Sequence, residues 1–327
     1  MGKKKYTLEI LLIFLIASPS QLYAADATSK DMARIKGGTF WMGSDNGNTN
    51  ERPPHQVTVD NFWIDKYPVT NKVFDAFVKA AGYVTYAEKI PDPKDFPTIP
   101  KELLVPGSIV FKEPKNKTSL NDYTQWWAFV EGADWRHPRG PDSNLKGLDN
   151  HPVVHVAYPD AEAYCHWKGG EIPTEAQFEY AARGGLDRKP YIWGDQPKHL
   201  TKKMANLWEG NFPTENKQKD GYYYTSPVGT YPPNGYGLYD MAGNVWEWVS
   251  DWYNPDYFSS SPQNNPRGVQ KKESFDPNEP GTPKRITKGG SYLCNDVYCR
   301  GYRPSARMPS DPNTSLGHTG FRCVINP

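Results

Sequence analysis

Proline and glycine recur so often along this chain that no segment is free of them for long: 31 prolines and 28 glycines are spread through 327 residues. Proline removes a backbone donor and clashes with the preceding helical turn, and glycine carries the largest entropy loss on ordering, so together they cut a chain into short pieces. The reading is an α+β fold of low regular content, with short strands and helices joined by irregular chain. Its core must come largely from aromatic residues, which make up 14% of the chain. No fixed-period repeat, heptad pattern or low-complexity tract interrupts this, and no linker separates two cores, so one domain spanning 25–327 is expected.

A few segments carry enough pattern to be assigned. The stretch HQVTVDNFWIDKYPVT alternates as a strand does. Thr70 is placed to cap the helix NKVFDAFVKAAG, and Gly82 to end it. In PDAEAYCHWKGG, the residues Ala161, Tyr164, Cys165 and Trp167 fall near one helical face. TEAQFEYAARGG opens with a capping-box pattern, Thr174 with Gln177, and stops at Gly184. Pro91 to Lys117, rich in proline and lysine, reads as a surface excursion.

The first 24 residues read as an export signal: the basic MGKKK, the apolar LEILLIFLIA, and a polar stretch ending in small residues, with cleavage after Ala24. The apolar run is short for a membrane span, so membrane contact is expected only if the segment stays uncleaved. Export to a periplasmic or external space would let disulfides persist. A net charge of +1 gives no concentrated positive surface, and no nucleic-acid partner is expected.

Four cysteines remain to be explained. Cys165 lies on an amphipathic helix and Cys323 in the terminal strand GFRCVI; buried thiols suit both places, and an exported chain with an even cysteine count favours a bridge. Cys294 and Cys299, in GGSYLCNDVYCRGYR, fit a local disulfide, a redox dithiol outside the C-x-x-C pattern, or a soft-metal site in which two thiolates suit copper(I). The residues by themselves rank the disulfide first. Ser291 reads as a turn residue and Trp246, in GNVWEW, as a buried aromatic. Arg303 and Arg307 read as salt-bridge partners. His151 and His155, four apart in HPVVHV, sit in extended chain and read as structural. Nucleophile elbow, phosphate-binding glycine loop and H-E-x-x-H are all missing from the sequence.

Taken in order, GGTFWMGS, ERPPHQVTVDNFWIDKYPVTN, WRHPRGPDS, HPVVHVAYPDAEAYCHWKGGEIPTEAQFEYAARGG, YLCNDVYCRGYRPSAR and GHTGFRC resemble the formylglycine-generating enzyme (sulfatase-modifying factor) family, from about Met32 to Val324. The resemblance implies that family's variant of the C-type lectin fold. It implies a bridge between Cys165 and Cys323, while positions that carry a second bridge in some relatives hold Ala182 and Pro304. It also reverses the ranking at the cysteine pair. Cys294 and Cys299 become ligands of copper(I), which activates O2 to convert the cysteine of a Cys-x-Pro-x-Arg segment in a sulfatase into Cα-formylglycine. Ser291 and Trp246 would then line the oxygen pocket, with Tyr298, Arg303 and Arg307 as supports or substrate contacts. Several relatives carry histidine after the first catalytic cysteine; Asn295 stands there in this chain and cannot titrate. Two structural calcium ions are also implied. One would use Asn206, Asp220 and the carbonyls of Leu207 and Tyr222; the other Asp240, Glu247 and the carbonyls of Gly243 and Val245. Asx-turns are the alternative reading of both sets. The rival functions on this scaffold are a non-catalytic binding module and an oxidase acting on another peptide.

Overall fold

Eleven strands and three α-helices are held by turns and a few short 3₁₀ segments in the computed structural model, which describes residues 31–94, 96–116, 119–197 and 203–327. The first 24 residues, read as an export signal, lie outside the described residues. Among those described, no helix is long and apolar enough to cross a membrane.

The strand-like run at 55–70 divides in two. β3 (His55–Val59) pairs with β2 (Gly38–Met42), whereas β4 (Phe62–Asp65) turns away to pair with β1 (Met32–Ile35) and β11 (Val324–Ile325). Side chains hold the break: Asn265 Oδ1 accepts from the Asp60 N–H, and Asn61 Oδ1 accepts from that of Gly37. One alternating pattern thus feeds two sheets. β4 also joins the two ends of the described chain, which leave from either side of it.

The helices form where the local signals place them. α1 (Asn71–Ala81) ends on Gly82 in the left-handed region, its N–H returning to the Val78 carbonyl; Thr70 occupies the cap position without a side-chain bond. α2 (Tyr158–Trp167) buries Ala161, Tyr164 and Cys165, but Trp167, at its last residue, stays half exposed against Phe77. α3 (Glu175–Arg183) carries the capping box in full: Thr174 Oγ1 accepts from the Gln177 N–H, and the Gln177 side chain accepts from the Thr174 N–H. It stops at Gly184, whose φ of 56° and the approach of Gly235 leave no room for a Cβ.

The excursion at 91–117 is surface chain only in its first part. From Gly107 it becomes β5 (Gly107–Phe111), paired with β6 (Trp127–Glu131), and Val110 and Phe111 are buried. A four-stranded sheet carries the rest: β10 (Thr319–Gly320) runs parallel to β7 (Trp246–Trp252), followed by β8 (Arg285–Lys288) and β9 (Met308–Ser310). The terminal GFRCVI, expected from its sequence to alternate as a strand does, does not alternate. Phe321, Arg322 and Cys323 are all buried, since Arg322 has an internal partner.

Cys165 and Cys323 are joined, tying α2 to the terminal segment across 158 residues. In the chain-entropy account a loop of that length contributes about 5 kcal/mol by restricting the unfolded chain. Three buried clusters build the core. The largest contains Val57, Phe178, Trp246, Cys294 and Tyr302; the second packs α1 against α2; the third gathers Phe111, Trp126, Trp208, Phe212, Tyr292 and Leu293. The chain from Ser291 to Cys299 runs along the seam between the first and third.

Candidate active site

That seam explains why two cysteines five residues apart meet. Cys294 is fully buried; its N–H bonds to the Ser291 carbonyl and its own carbonyl accepts from the Trp208 N–H. Asn295 Oδ1 then accepts from the N–H groups of Val297 and Tyr298, an Asx-turn that folds the chain back on itself. The return brings Cys299 to Cys294, and the pair is bonded, with Cα atoms 4.6 Å apart. Cys299 keeps part of its surface open while Cys294 does not. Among the described residues the Asn295 Nδ2 has no hydrogen-bond partner, although the residue is buried. Its role in the loop therefore rests on the carbonyl oxygen.

Trp246, the first residue of β7, reaches the same place. A Cβ built on Gly301 would lie 2.2 Å from Trp246 Cη2 and 3.2 Å from Cys299 Sγ, so indole and sulfur share the space that the missing side chain leaves. Tyr298 stacks on Phe212 with ring centroids 4.2 Å apart and stands edge-on to Trp126 at 5.5 Å. Burial raises its phenol pKa. Ser291 is fully buried; its N–H donates to Cys294 Sγ at 3.4 Å, and its Oγ lies 3.1 Å from His318 Nδ1. An apolar cavity of about 460 Å³ opens nearby, walled by Phe96, Leu103, Ile109, Tyr123 and Trp127. Trp127 links it to the seam, packing edge-on against the His318 ring at 4.7 Å.

Cys294, Cys299, Ser291, Trp246, Tyr298 and Asn295 are thus brought together. Arg303 and Arg307 are not. Arg303 is buried in a two-pronged ion pair with Glu51, at 2.6 and 2.5 Å, and Ser305 completes the carboxylate. Arg307 holds Glu175 through Nε at 2.7 Å and Nη2 at 3.0 Å. Both ion pairs are buried, and each ties distant parts of the chain together. Burial works against the Glu51 charge, but bonding to Arg303 outweighs it and the carboxyl sits below its ordinary pKa.

The two calcium sets fare differently. Both Glu247 oxygens are taken by Arg322, at 2.7 and 2.8 Å, and Asp240 accepts from the Gly229 N–H and from Asn244. Glu247 thus serves an internal ion pair, and its oxygens are already engaged with Arg322. Burial raises the Glu247 pKa against the pull of Arg322. In the other set, Asp220 receives Tyr222 N–H and Tyr231 OH, while Asn206 spends its Nδ2 on the Tyr224 carbonyl. Its hard oxygen donors suit calcium. Among the described residues no three His, Cys, Asp or Glu side chains converge on one point. His151 and His155 are structural as read. His155 is buried between Ser108 Oγ at 2.7 Å and the Pro138 carbonyl at 2.8 Å, and burial holds its pKa down at about 4.

His318 was missed in the sequence. It lies 27 residues from Ser291, inside the quoted GHTGFRC, and no spacing rule connects the two.

The architecture defines a class before it defines a family. The fold is shared with PvdO from Pseudomonas aeruginosa, at a TM-score of 0.62 and 24% identity, covering 90% of this chain and 94% of that one. The Sulfatase-modifying factor enzyme 1-like domain model matches residues 19–327, and the chain belongs to that family. It is 46% identical to the formylglycine-generating enzyme of Mycobacterium tuberculosis over 91% of this chain and 98% of that protein. It is also 35% identical to the inactive C-alpha-formylglycine-generating enzyme 2 of Mus musculus, over 96% of this chain and 92% of that one. Membership therefore leaves the activity to be argued from the site.

Proposed function

We propose that this protein oxidises the cysteine of a Cys-x-Pro-x-Arg segment in sulfatases to Cα-formylglycine, with O2 as oxidant and copper(I) on the reduced Cys294–Cys299 pair. The observation that carries the reading is the meeting of two sulfurs at a partly open point beside Ser291 and Trp246. Relatives named as formylglycine-generating enzymes at 46% and 42% identity support it.

The donor set fits the ion. Once the bridge is reduced, two thiolates stand together with no hard oxygen ligand among their hydrogen-bond partners, a set that selects a soft monovalent cation. Bound there, copper would supply activation of dioxygen. The surrounding residues do the rest. The Asx-turn at Asn295 holds both sulfurs in place, Trp246 and Tyr298 keep water from the seam, and the cavity beside Trp127 receives apolar side chains next to the substrate cysteine. The substrate thiol loses two hydrogens to become a thioaldehyde, which water converts to the aldehyde with release of sulfide. Dioxygen takes up four electrons, two from the substrate and two from an added thiol reductant. Calcium at Asn206, Leu207, Asp220 and Tyr222 and export of the chain belong to the same reading; the second calcium set does not.

The bonded state of Cys294 and Cys299 favours a second reading, a binding module in which the bridge stays closed. Mass spectrometry of a Cys-x-Pro-x-Arg peptide incubated with copper(I), reductant and O2 separates the two. Aldehyde that requires copper and is lost in Cys294→Ser and Cys299→Ser supports the oxidase. No product from verified copper-loaded protein refutes it, and failure to load copper favours the module.

A further inference from the structure

His318 Nδ1 lies 3.1 Å from the Oγ of Ser291, the residue whose N–H donates to Cys294 Sγ. We propose that His318 is a positioning residue: its Nδ1 accepts the Ser291 hydroxyl proton, so that Ser291 presents only an acceptor oxygen toward the sulfur pair. The inference deepens the function proposed above and rests on it.

The bonding around Ser291 selects this arrangement. Oγ lies 3.1 Å from Nδ1 and receives the Leu293 N–H at 3.3 Å. If Nδ1 carried the proton, Oγ would accept twice and its own hydrogen would be left without a strong acceptor in a fully buried place. With the proton on Nε2, the hydroxyl donates to Nδ1, accepts from Leu293, and keeps one lone pair for an incoming group. A thiol or amide hydrogen of the substrate is such a group. Nε2 has no hydrogen-bond partner among the described residues.

The histidine is held from three directions. Its carbonyl accepts from the Trp246 N–H at 2.9 Å, Trp127 packs against its ring, and the next residue, Thr319, pairs with Trp246 in the sheet. One backbone bond therefore couples the serine's partner to the tryptophan beside Cys299. Desolvation in the seam, with a smaller repulsion from His155, keeps the imidazole below its ordinary pKa and so neutral at physiological pH. A neutral ring held in one tautomer orients a hydroxyl; it does not need to take the proton.

Two measurements test this. Nitrogen-15 NMR of histidine-labelled full-length protein reports the tautomer without turnover. The expected result is a neutral ring protonated on Nε2 between about pH 5 and 8, the range over which an ordinary histidine titrates, with that preference lost in Ser291→Ala. A ring protonated on Nδ1, or one that ignores Ser291→Ala, overturns the proposal. Kinetics on the same peptide give the second readout. His318→Leu should lower kcat about tenfold, the worth of one hydrogen bond, with peptide KM little changed. His318→Asn, whose amide oxygen can replace Nδ1 as acceptor, should recover most of it. Wild-type turnover in His318→Leu, or equal loss in both variants, overturns the proposal. Thermal unfolding of each variant identifies any that fail to fold. If wild-type protein makes no aldehyde, the oxidase reading fails and the NMR result still decides the His318–Ser291 contact.

Discussion

Gly301→Ala places one methyl group where Trp246 and Cys299 meet. The backbone at Gly301 is not left-handed, so the change acts through space alone. The new carbon would stand 2.2 and 2.3 Å from two indole carbons. Ordinary carbon contacts are about 3.5–4.0 Å, so the ring must retreat by more than about 1 Å within a filled core. Overpacking of this kind costs about 1–3 kcal/mol, and a shift of about 1 Å at a reacting centre costs about 100-fold in rate. Urea unfolding and peptide oxidation measure the two effects. Trp246→Phe, which removes the outlying ring, should relieve the clash. In a double-mutant cycle the pair should then be less destabilised than the sum of the singles, by about 1 kcal/mol or more. Additive destabilisation, or wild-type stability in Gly301→Ala, would refute the packing argument.

Two further outcomes follow from buried charges. Glu247→Ala strands Arg322 and should cost about 3–5 kcal/mol in urea unfolding, while Glu247→Leu combined with Arg322→Met should recover much of that. Recovery in a calcium-free buffer would also confirm that this carboxylate serves the arginine; no recovery would point to another role. Glu179 is fully buried. Burial opposes its charge, but Lys288 and Arg183 outweigh it and hold its pKa at about 2. A carboxyl depressed in the folded state stabilises above its unfolded pKa, so this contribution, on the order of 3 kcal/mol, is present at neutral pH. It should be lost between roughly pH 4.5 and 2. Glu179→Gln should flatten the acid limb of a stability profile; an unchanged limb would assign acid unfolding to other groups.

What was legible in the sequence was what short-range chemistry decides. The Thr174–Gln177 capping box and the two helix-ending glycines depend only on neighbours, and all three stand as read. The 55–70 run misled because alternation records burial and not pairing partners; the break between β3 and β4 is held by Asn265, some 200 residues away. The site divides in the same way. The cysteine pair was visible as spacing, whereas the fates of Arg303 and Arg307 depended on Glu51 and Glu175, and that of Glu247 on Arg322. A charge in a sequence does not announce its partner. The Ser291–His318 contact was hidden for the same reason.

Thiol–disulfide exchange requires a thiolate to reach one sulfur along the axis of the bond. Both sulfurs of the Cys165–Cys323 bridge belong to fully buried residues, while Cys299 is partly open to the surroundings. One chain thus carries two copies of the same bond with different exposure to the same reagent. A mild reductant can address the pair in the seam and leave the bridge across 158 residues closed. The protein can be primed chemically without being loosened mechanically.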